Sequence, residues 1–478
     1  MSYKLSIIND GIESARAFRN RHDVVRKDDK NLGSSGIPLD EYDGKVSHSK
    51  NDEHCLIVGS TGTGKSRRLM MPGIVMSARA GRSLLIMDVK GELYAHTAKV
   101  VREAGHDVRV INLRNPICGC RFNPLKRIQE LWMMQCKSAA TLLLRDVGRV
   151  ITASLAHDRD SYWQLSTIEA FMGFAILIME NGYTLTFAAV HALFNEWMRK
   201  KDVWEVMRPM FDSQAESYKH LSTIINLTAD TTVSCITSTF NVAMSPFVDS
   251  EDVRDMLGES DFMLEDIGQR KMAVYLIVPD ESLSLYSIAS VFVDQTYSSL
   301  IRVSNAYADG KLSIPVDFYL DEFGTISGLD WSNKLAAARS RNVRFFLAIQ
   351  DLSQLTEKYG EYPAKTIMSN CKTLVFLGGR DLELMSTISW LSGKKSNGKP
   401  VISIVELNEI KPGTIVVIDG PKPFYGHLPD WVEWHIPELS CVDDNERDLI
   451  VQRIPELTDL LSPSDKKENT IPDKNVAN

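Results

Sequence analysis

The sequence predicts an α/β protein: a parallel, helix-wrapped sheet entered through a glycine loop and interrupted by an all-helical insertion. Three observations carry this. An apolar run, Cys55-Leu56-Ile57-Val58, leads into Gly59-Ser60-Thr61-Gly62-Thr63-Gly64-Lys65-Ser66 and then a helical pattern, the strand, loop and helix of a P-loop. Short apolar segments that end in polar or glycine residues alternate with helical patterns on both sides of a long central block, as buried parallel strands do. The block itself, residues 126–258, carries apolar residues at helical spacing and few strand signals.

In chain order, residues 1–50 are polar, with a flexible Asn31-Leu32-Gly33-Ser34-Ser35-Gly36 stretch, and read as an arm or short β-element. Residues 51–125 form the first part of a nucleotide domain, with strands at Cys55–Val58, Ser83–Met87 and Val108–Asn112 and helices at Met70–Arg79 and Leu93–Glu103. Within 126–258, Trp163, Phe171, Phe174 and Leu177 share one helical stripe, and Phe187, Val190, Leu193 and Trp197 another; both read as core. Residues 259–440 resume the sheet, with parallel strands expected at Ala273–Val278, Val316–Leu320, Arg344–Ile349, Thr373–Leu377 and Thr414–Ile418. Residues 441–478 form a polar tail, expected to be largely disordered.

The loop residues state the chemistry. Gly59, Gly62 and Gly64 let backbone N–H groups turn inward around phosphates where a side chain would block the approach, and Ser60, Thr61 and Thr63 complete that cradle. Lys65 places a compact charge on the β/γ-phosphates, and Ser66 offers a hydroxyl to Mg²⁺. ATP with Mg²⁺ is the expected ligand. Leu320-Asp321-Glu322 closes a hydrophobic strand, so Asp321 can hold the Mg²⁺ water shell and Glu322 can polarise the attacking water. Gln350 ends the next strand and suits sensing of the γ-phosphate. Upstream lies Arg339-Ser340-Arg341-Asn342-Val343-Arg344, any arginine of which reads either as solvated or as a neutraliser of phosphoryl charge; Arg339 is the favoured one. Asp88, in Asp88-Val89-Lys90-Gly91-Glu92, reaches the ligand face of the sheet as a nucleotide contact or as part of a glycine turn.

Composition bounds the rest. A chain of 478 residues, 44% hydrophobic and 24% charged, accommodates two or three globular domains. A net charge of −8 requires any nucleic-acid contact to come from local basic patches. Lys394, Lys395 and Lys399, in a glycine-containing loop, read as a solvated surface or as weak phosphate contacts. The seven scattered cysteines make no disulfide framework and suit a reducing compartment; Cys118-Gly119-Cys120 has no partner pair at metal-ligand spacing. No signal-peptide pattern opens the sequence, and Ala170–Met179, its most apolar run, reads as a buried helix. A soluble, cytoplasmic protein is expected.

Together these segments resemble the type IV coupling proteins, the TraG-like ATPases of conjugation and type IV secretion. The resemblance rests on Gly59–Ser66, Met87-Asp88-Val89-Lys90-Gly91-Glu92-Leu93-Tyr94, Arg121-Phe122-Asn123-Pro124-Leu125, Leu320-Asp321-Glu322-Phe323-Gly324, Gln350-Asp351-Leu352-Ser353-Gln354-Leu355 and Ser369-Asn370-Cys371. It spans residues from about 50 to 430. It implies a RecA-like motor domain with an inserted helical domain that selects cargo, and a homo-hexameric ring around a channel. It also implies transfer of single-stranded DNA with its relaxase, or of protein effectors, into a type IV secretion channel at the expense of ATP. An arginine placed like Arg339 completes the neighbouring subunit's pocket in such rings. Typical members begin with transmembrane helices; this sequence has none, so membrane contact is expected only through a partner protein, at the inner face of the cell membrane. Two other readings stand beside this one. A double-stranded DNA translocase of the chromosome-segregation type shares the motor core, and a nucleotide-switched cargo scaffold would dispense with hydrolysis, against which Glu322 argues.

Overall fold

The structure, a computed structural model, describes residues 11–50, 53–155, 161–199, 215–225 and 230–436. The tail expected at 441–478 lies outside these residues. The described parts of Met1–Pro124, Arg149–Ala156 and Ser245–Val451 form one compact unit, and those of Leu125–Gly148 and His157–Met244 form another.

The strands of the first unit, numbered along the chain, are β1 (Asp23–Arg26), β2 (Pro38–Tyr42), β3 (Lys45–His48), β4 (Cys55–Val58), β5 (Ser83–Asp88), β6 (Asp107–Asn112), β7 (Met272–Ile277), β8 (Val316–Leu320), β9 (Val343–Ile349), β10 (Thr373–Phe376), β11 (Thr414–Ile418) and β12 (Phe424–His427). Nine form one sheet in the order β12-β11-β10-β4-β9-β8-β5-β7-β6. From β10 to β6 every pairing is parallel. β4, β5, β7, β8, β9 and β10 are buried along their whole lengths, which explains why they are nearly continuous apolar runs.

The expectation of parallel pairing fails at Thr414–Ile418. β11 pairs antiparallel with both β10 and β12. A five-residue connection between β11 and β12 leaves no room for a crossover, and the apolar centre of β11 looks the same whichever way the strand runs.

Residues 11–50 are no loose arm. β1, β3 and β2 form a small antiparallel sheet, and Phe18, Ile37, Leu39 and Val46 join the same core as Cys55 and Ile57. Arg21 and His22 meet Asp419 at 2.5 and 2.6 Å. At Gly426 on β12, an added Cβ would lie 1.9 Å from the Leu39 carbonyl oxygen on β2, so only glycine permits this approach.

One buried charge cluster braces the sheet. Asp317 on β8 accepts from Arg82 Nε at 2.8 Å, Arg344 Nη2 at 2.6 Å and Ser77 Oγ at 2.7 Å. Burial pushes this carboxyl up, but the Arg344 and Arg82 guanidiniums override it and hold it well below the usual carboxylate range.

The second unit is helical. Its helices include Lys126–Met133, Ser161–Glu180, Phe187–Arg199 and Glu216–Ile225. Phe171, Phe174, Phe187, Phe194 and Phe240 fill its core, and Phe194 stacks on Phe240 at 3.8 Å. Tyr162–Glu180 is long and apolar enough to cross a membrane by length and composition, yet 67% of that span is buried within the fold. The boundary expected at 258 falls earlier, because Ser245–Gly258 counts with the sheet unit. Phe122 N–H donates to the Met256 carbonyl at 2.8 Å, Asp261 N–H to Arg121, and Arg121 pairs with Asp255. The Arg121-Phe122-Asn123 motif is thus a staple that closes the sheet unit after the insertion.

Candidate nucleotide site

The site grows from the carboxyl ends of β4, β9, β8 and β5, which are neighbours in that order. After β4, Gly59 N–H donates to the Ile349 carbonyl on β9 and Ser60 N–H to Gly378 beyond β10, so the loop is pinned from both sides. Thr63 Oγ1 donates to the Ser60 carbonyl at 2.8 Å and closes the turn. Gly64 has φ +94°, which a β-carbon would oppose. The helix that follows opens with a wide turn over Lys65–Met70, in which Met71 N–H reaches back to the Ser66 carbonyl. Pro72 lacks the N–H that a regular turn needs there, and the wide turn absorbs the loss.

Lys65 Nζ donates to the Gly59 carbonyl at 2.5 Å and the Ser60 carbonyl at 3.5 Å. Burial lowers its pKa, while the Glu322 and Asp321 charges act in the other direction. Ser66 Oγ lies 3.3 Å from Asp321 Oδ2. Burial first, then the charges of Glu322 and Asp88, push Asp321 up to about 7. Glu322 sits in the left-handed region at φ +58° and ψ +47°, a conformation of the kind that clusters at functional sites. Gln350 Nε2 donates to both Glu322 carboxylate oxygens at 3.0 and 3.2 Å. Sequence reasoning aimed Gln350 at the γ-phosphate; the structure adds that its amide orients Glu322. A cavity of about 270 Å³ lies between Thr61, Gly64, Lys65 and Ser66 on one side and Asp321 and Glu322 on the other.

Two expected residues stand apart from this cleft. Asp88 is fully buried, with its carboxylate accepting from the backbone N–H groups of Lys90, Gly91 and Tyr94 at 3.3, 2.9 and 2.8 Å. Burial lifts it to about 6 against those three backbone contacts. The direct nucleotide contact proposed for Asp88 is therefore corrected to that of a brace: it holds the turn whose Lys90 and Glu92 line the cavity. Arg339 is exposed and precedes β9, at the sheet edge opposite the carboxyl ends. It does not join its own chain's cleft. Arg344, from the same cluster, is the buried partner of Asp317.

Sequence reasoning missed Arg67. It lines the cavity directly after Ser66 and forks onto Asp430, with contacts of 2.5 and 3.2 Å. Its adjacency to the loop was the available signal; Asp430, near the end of the described chain, gave none.

A scan of protein families matches residues 9–410 to the type IV secretory system conjugative DNA transfer family. The chain belongs to that family. Protein VirD4 of Rhizobium rhizogenes is 24% identical over 358 residues, covering 71% of this chain and 49% of VirD4. The conjugal transfer protein TraG of Escherichia coli is 23% identical over 374 residues, covering 73% of this chain and 56% of TraG. The chain thus spans about half the length of the curated relatives it matches. Among solved structures, the plasmid coupling protein TrwB in complex with the non-hydrolysable ATP analogue ADPNP is similar at a TM-score of 0.63 and 16% identity, covering 92% of this chain and 97% of that one. A TrwB complex with ADP and Mg²⁺ has a TM-score of 0.61 at the same identity and covers 90% and 94%. This likeness shows the fold, a RecA-like α/β sheet carrying a P-loop, with a helical insertion.

Proposed function

We propose that this family member is an ATP-hydrolysing coupling protein that brings a relaxase-bound single DNA strand, or protein cargo, to a type IV secretion channel and drives its transfer. One observation carries the reading: Lys65 and Ser66 converge with Asp321, Glu322 and Gln350 across three neighbouring strands.

Lys65 and the Gly59–Gly64 backbone receive the β/γ-phosphates. Ser66 and Asp321 supply two oxygens 3.3 Å apart for Mg²⁺, which when bound neutralises charge between the phosphates. Among the described residues no group of three or more acidic, His or Cys side chains forms a metal cage, as suits an ion held by one carboxylate, one hydroxyl and the phosphates. Glu322, steadied by Gln350, takes a proton from the attacking water. Arg339 reaches the cleft of an adjacent subunit in a homo-hexamer, and the helical unit reads cargo. The motor works at the inner face of the cell membrane, beside the secretion channel. ADPNP and ADP with Mg²⁺ bound to TrwB support the ligand choice.

Purified protein should hydrolyse ATP faster with single-stranded DNA, and Lys65→Ala should abolish both hydrolysis and plasmid transfer in a mating assay. Unchanged transfer by the variant would defeat the proposal.

A further inference from the structure

Helix Leu382–Leu391 and the hairpin after it form a surface that the nucleotide site does not use. Leu382, Ser386 and Trp390 fall on one stripe of this helix and all face solvent; Trp390 is 74% exposed. An indole this open forgoes the burial that a core position would give it. The chain then turns back at once. Lys394 pairs with Pro400, Lys395 N–H donates to the Lys399 carbonyl at 2.8 Å, and Val401 N–H to Gly393 at 2.9 Å. Ser389 Oγ donates to the Ile402 carbonyl at 2.7 Å, and Ile402 N–H donates to Ser392 Oγ at 3.0 Å. The hairpin is thereby fastened to the end of the helix beside Trp390.

Its charge is one-sided. Gly393–Val401 contains Lys394, Lys395 and Lys399 and no carboxylate, in a chain whose net charge is −8. Gly393 and Gly398 both have positive φ, with open space where a Cβ would stand, so the tight turn is made without side chains covering it. Lysine is depleted at protein–protein contacts, while an aromatic face flanked by cations suits a base and its phosphates.

We propose that Trp390 and the Lys394–Lys399 hairpin form a contact for single-stranded nucleic acid, the ring stacking on a base and the ammonium groups meeting the adjoining phosphates. This deepens the DNA-transfer reading and rests on it. The contact lies close to the P-loop in the chain: Gly378, whose carbonyl receives Ser60 N–H at 3.1 Å, is three residues before Asp381, and Asp381 caps the helix through Leu384 N–H at 2.6 Å.

Fluorescence anisotropy of the full chain with a labelled oligothymidylate tests this. Trp390→Ala should bind about 5- to 150-fold more weakly, the loss of one stacked base, and Trp390→Phe should recover most of the affinity. A Lys394→Ala/Lys399→Ala variant should lower the slope of log affinity against log salt by about 1.4, two phosphate contacts on a single strand. Equal affinity of Trp390→Ala and the parent would remove the platform and leave the DNA-transfer reading intact. A parent protein that binds no oligonucleotide would remove both. A changed sedimentation mass with unchanged DNA affinity would make this surface a contact between copies of the chain.

Discussion

Glu322 is held in the left-handed region and gripped by Gln350, so its carboxylate is aimed before any nucleotide arrives. Glu322→Gln keeps the shape and one of the two oxygens that Gln350 grips, but cannot accept a proton. It should bind an ATP analogue normally while kcat falls about 100-fold or more, which a coupled-enzyme assay beside equilibrium binding will measure. Asp88 has a different signature. Its pKa is raised to about 6 from an ordinary value near 4, so between those limits the folded state holds a proton that the unfolded state has released. Stability must therefore fall as pH rises from 4 to 6, by about 3 kcal/mol from this group. Asp88→Asn should remove this share of the limb in urea melts taken across the range, leaving the share that Asp321, raised to about 7, adds in the same direction. The sequence made Lys65, Ser66, Asp321 and Glu322 legible because each belongs to a short motif with one mechanism. It could not separate Arg339 from Arg344, since only the strand register on β8 and β9 shows Arg344 turned inward onto Asp317. Nor could it pair Arg67 with Asp430, whose contact depends on tertiary closure.

Element by element, the apolar runs of β4, β5, β7, β8, β9 and β10 were readable because burial on both faces leaves an unbroken hydrophobic signature. The direction of β11 was not, β12 was missed, and residues 11–50 read only as an arm or short β-element, without their three strands. These strands are partly exposed and polar, which leaves no unbroken apolar run to read. Gly426 is the sharpest instance. Its contact with the Leu39 carbonyl leaves no space for a methyl group, so Gly426→Ala should cost about 3 kcal/mol and expose residues 11–50 to protease before the rest of the chain unfolds. Limited proteolysis beside thermal melts will distinguish this local release from global loss.

At the scale of the whole molecule, the sheet order places the P-loop strand, the Gln350 strand and the Glu322 strand side by side, while Arg339 stands at the other end of β9. A single chain thus brings Lys65, Ser66, Asp321, Glu322 and Gln350 together and leaves Arg339 apart from them. Arg339→Ala should retain ATP affinity and lose most hydrolysis, and Lys65→Ala should lose hydrolysis as well. If the arginine acts across a subunit boundary, mixing the two inactive proteins should restore part of the activity, because an intact loop then meets an intact arginine. No recovery on mixing, with both proteins assembled, would place the arginine's action within its own chain.

β6 and β7, the strands between which the helical block is threaded, are neighbours at one margin of the sheet, and the P-loop strand lies on the far side of β9, β8 and β5. The second junction nevertheless opens onto β7, the direct neighbour of β5. Arg149–Ala156, inside the block in sequence, counts with the sheet unit, and a β-carbon at Gly328 would lie 2.8 Å from Val150 Cα. A chimaera that exchanges the helical unit must therefore leave Arg149–Ala156 in place as part of the sheet's own packing.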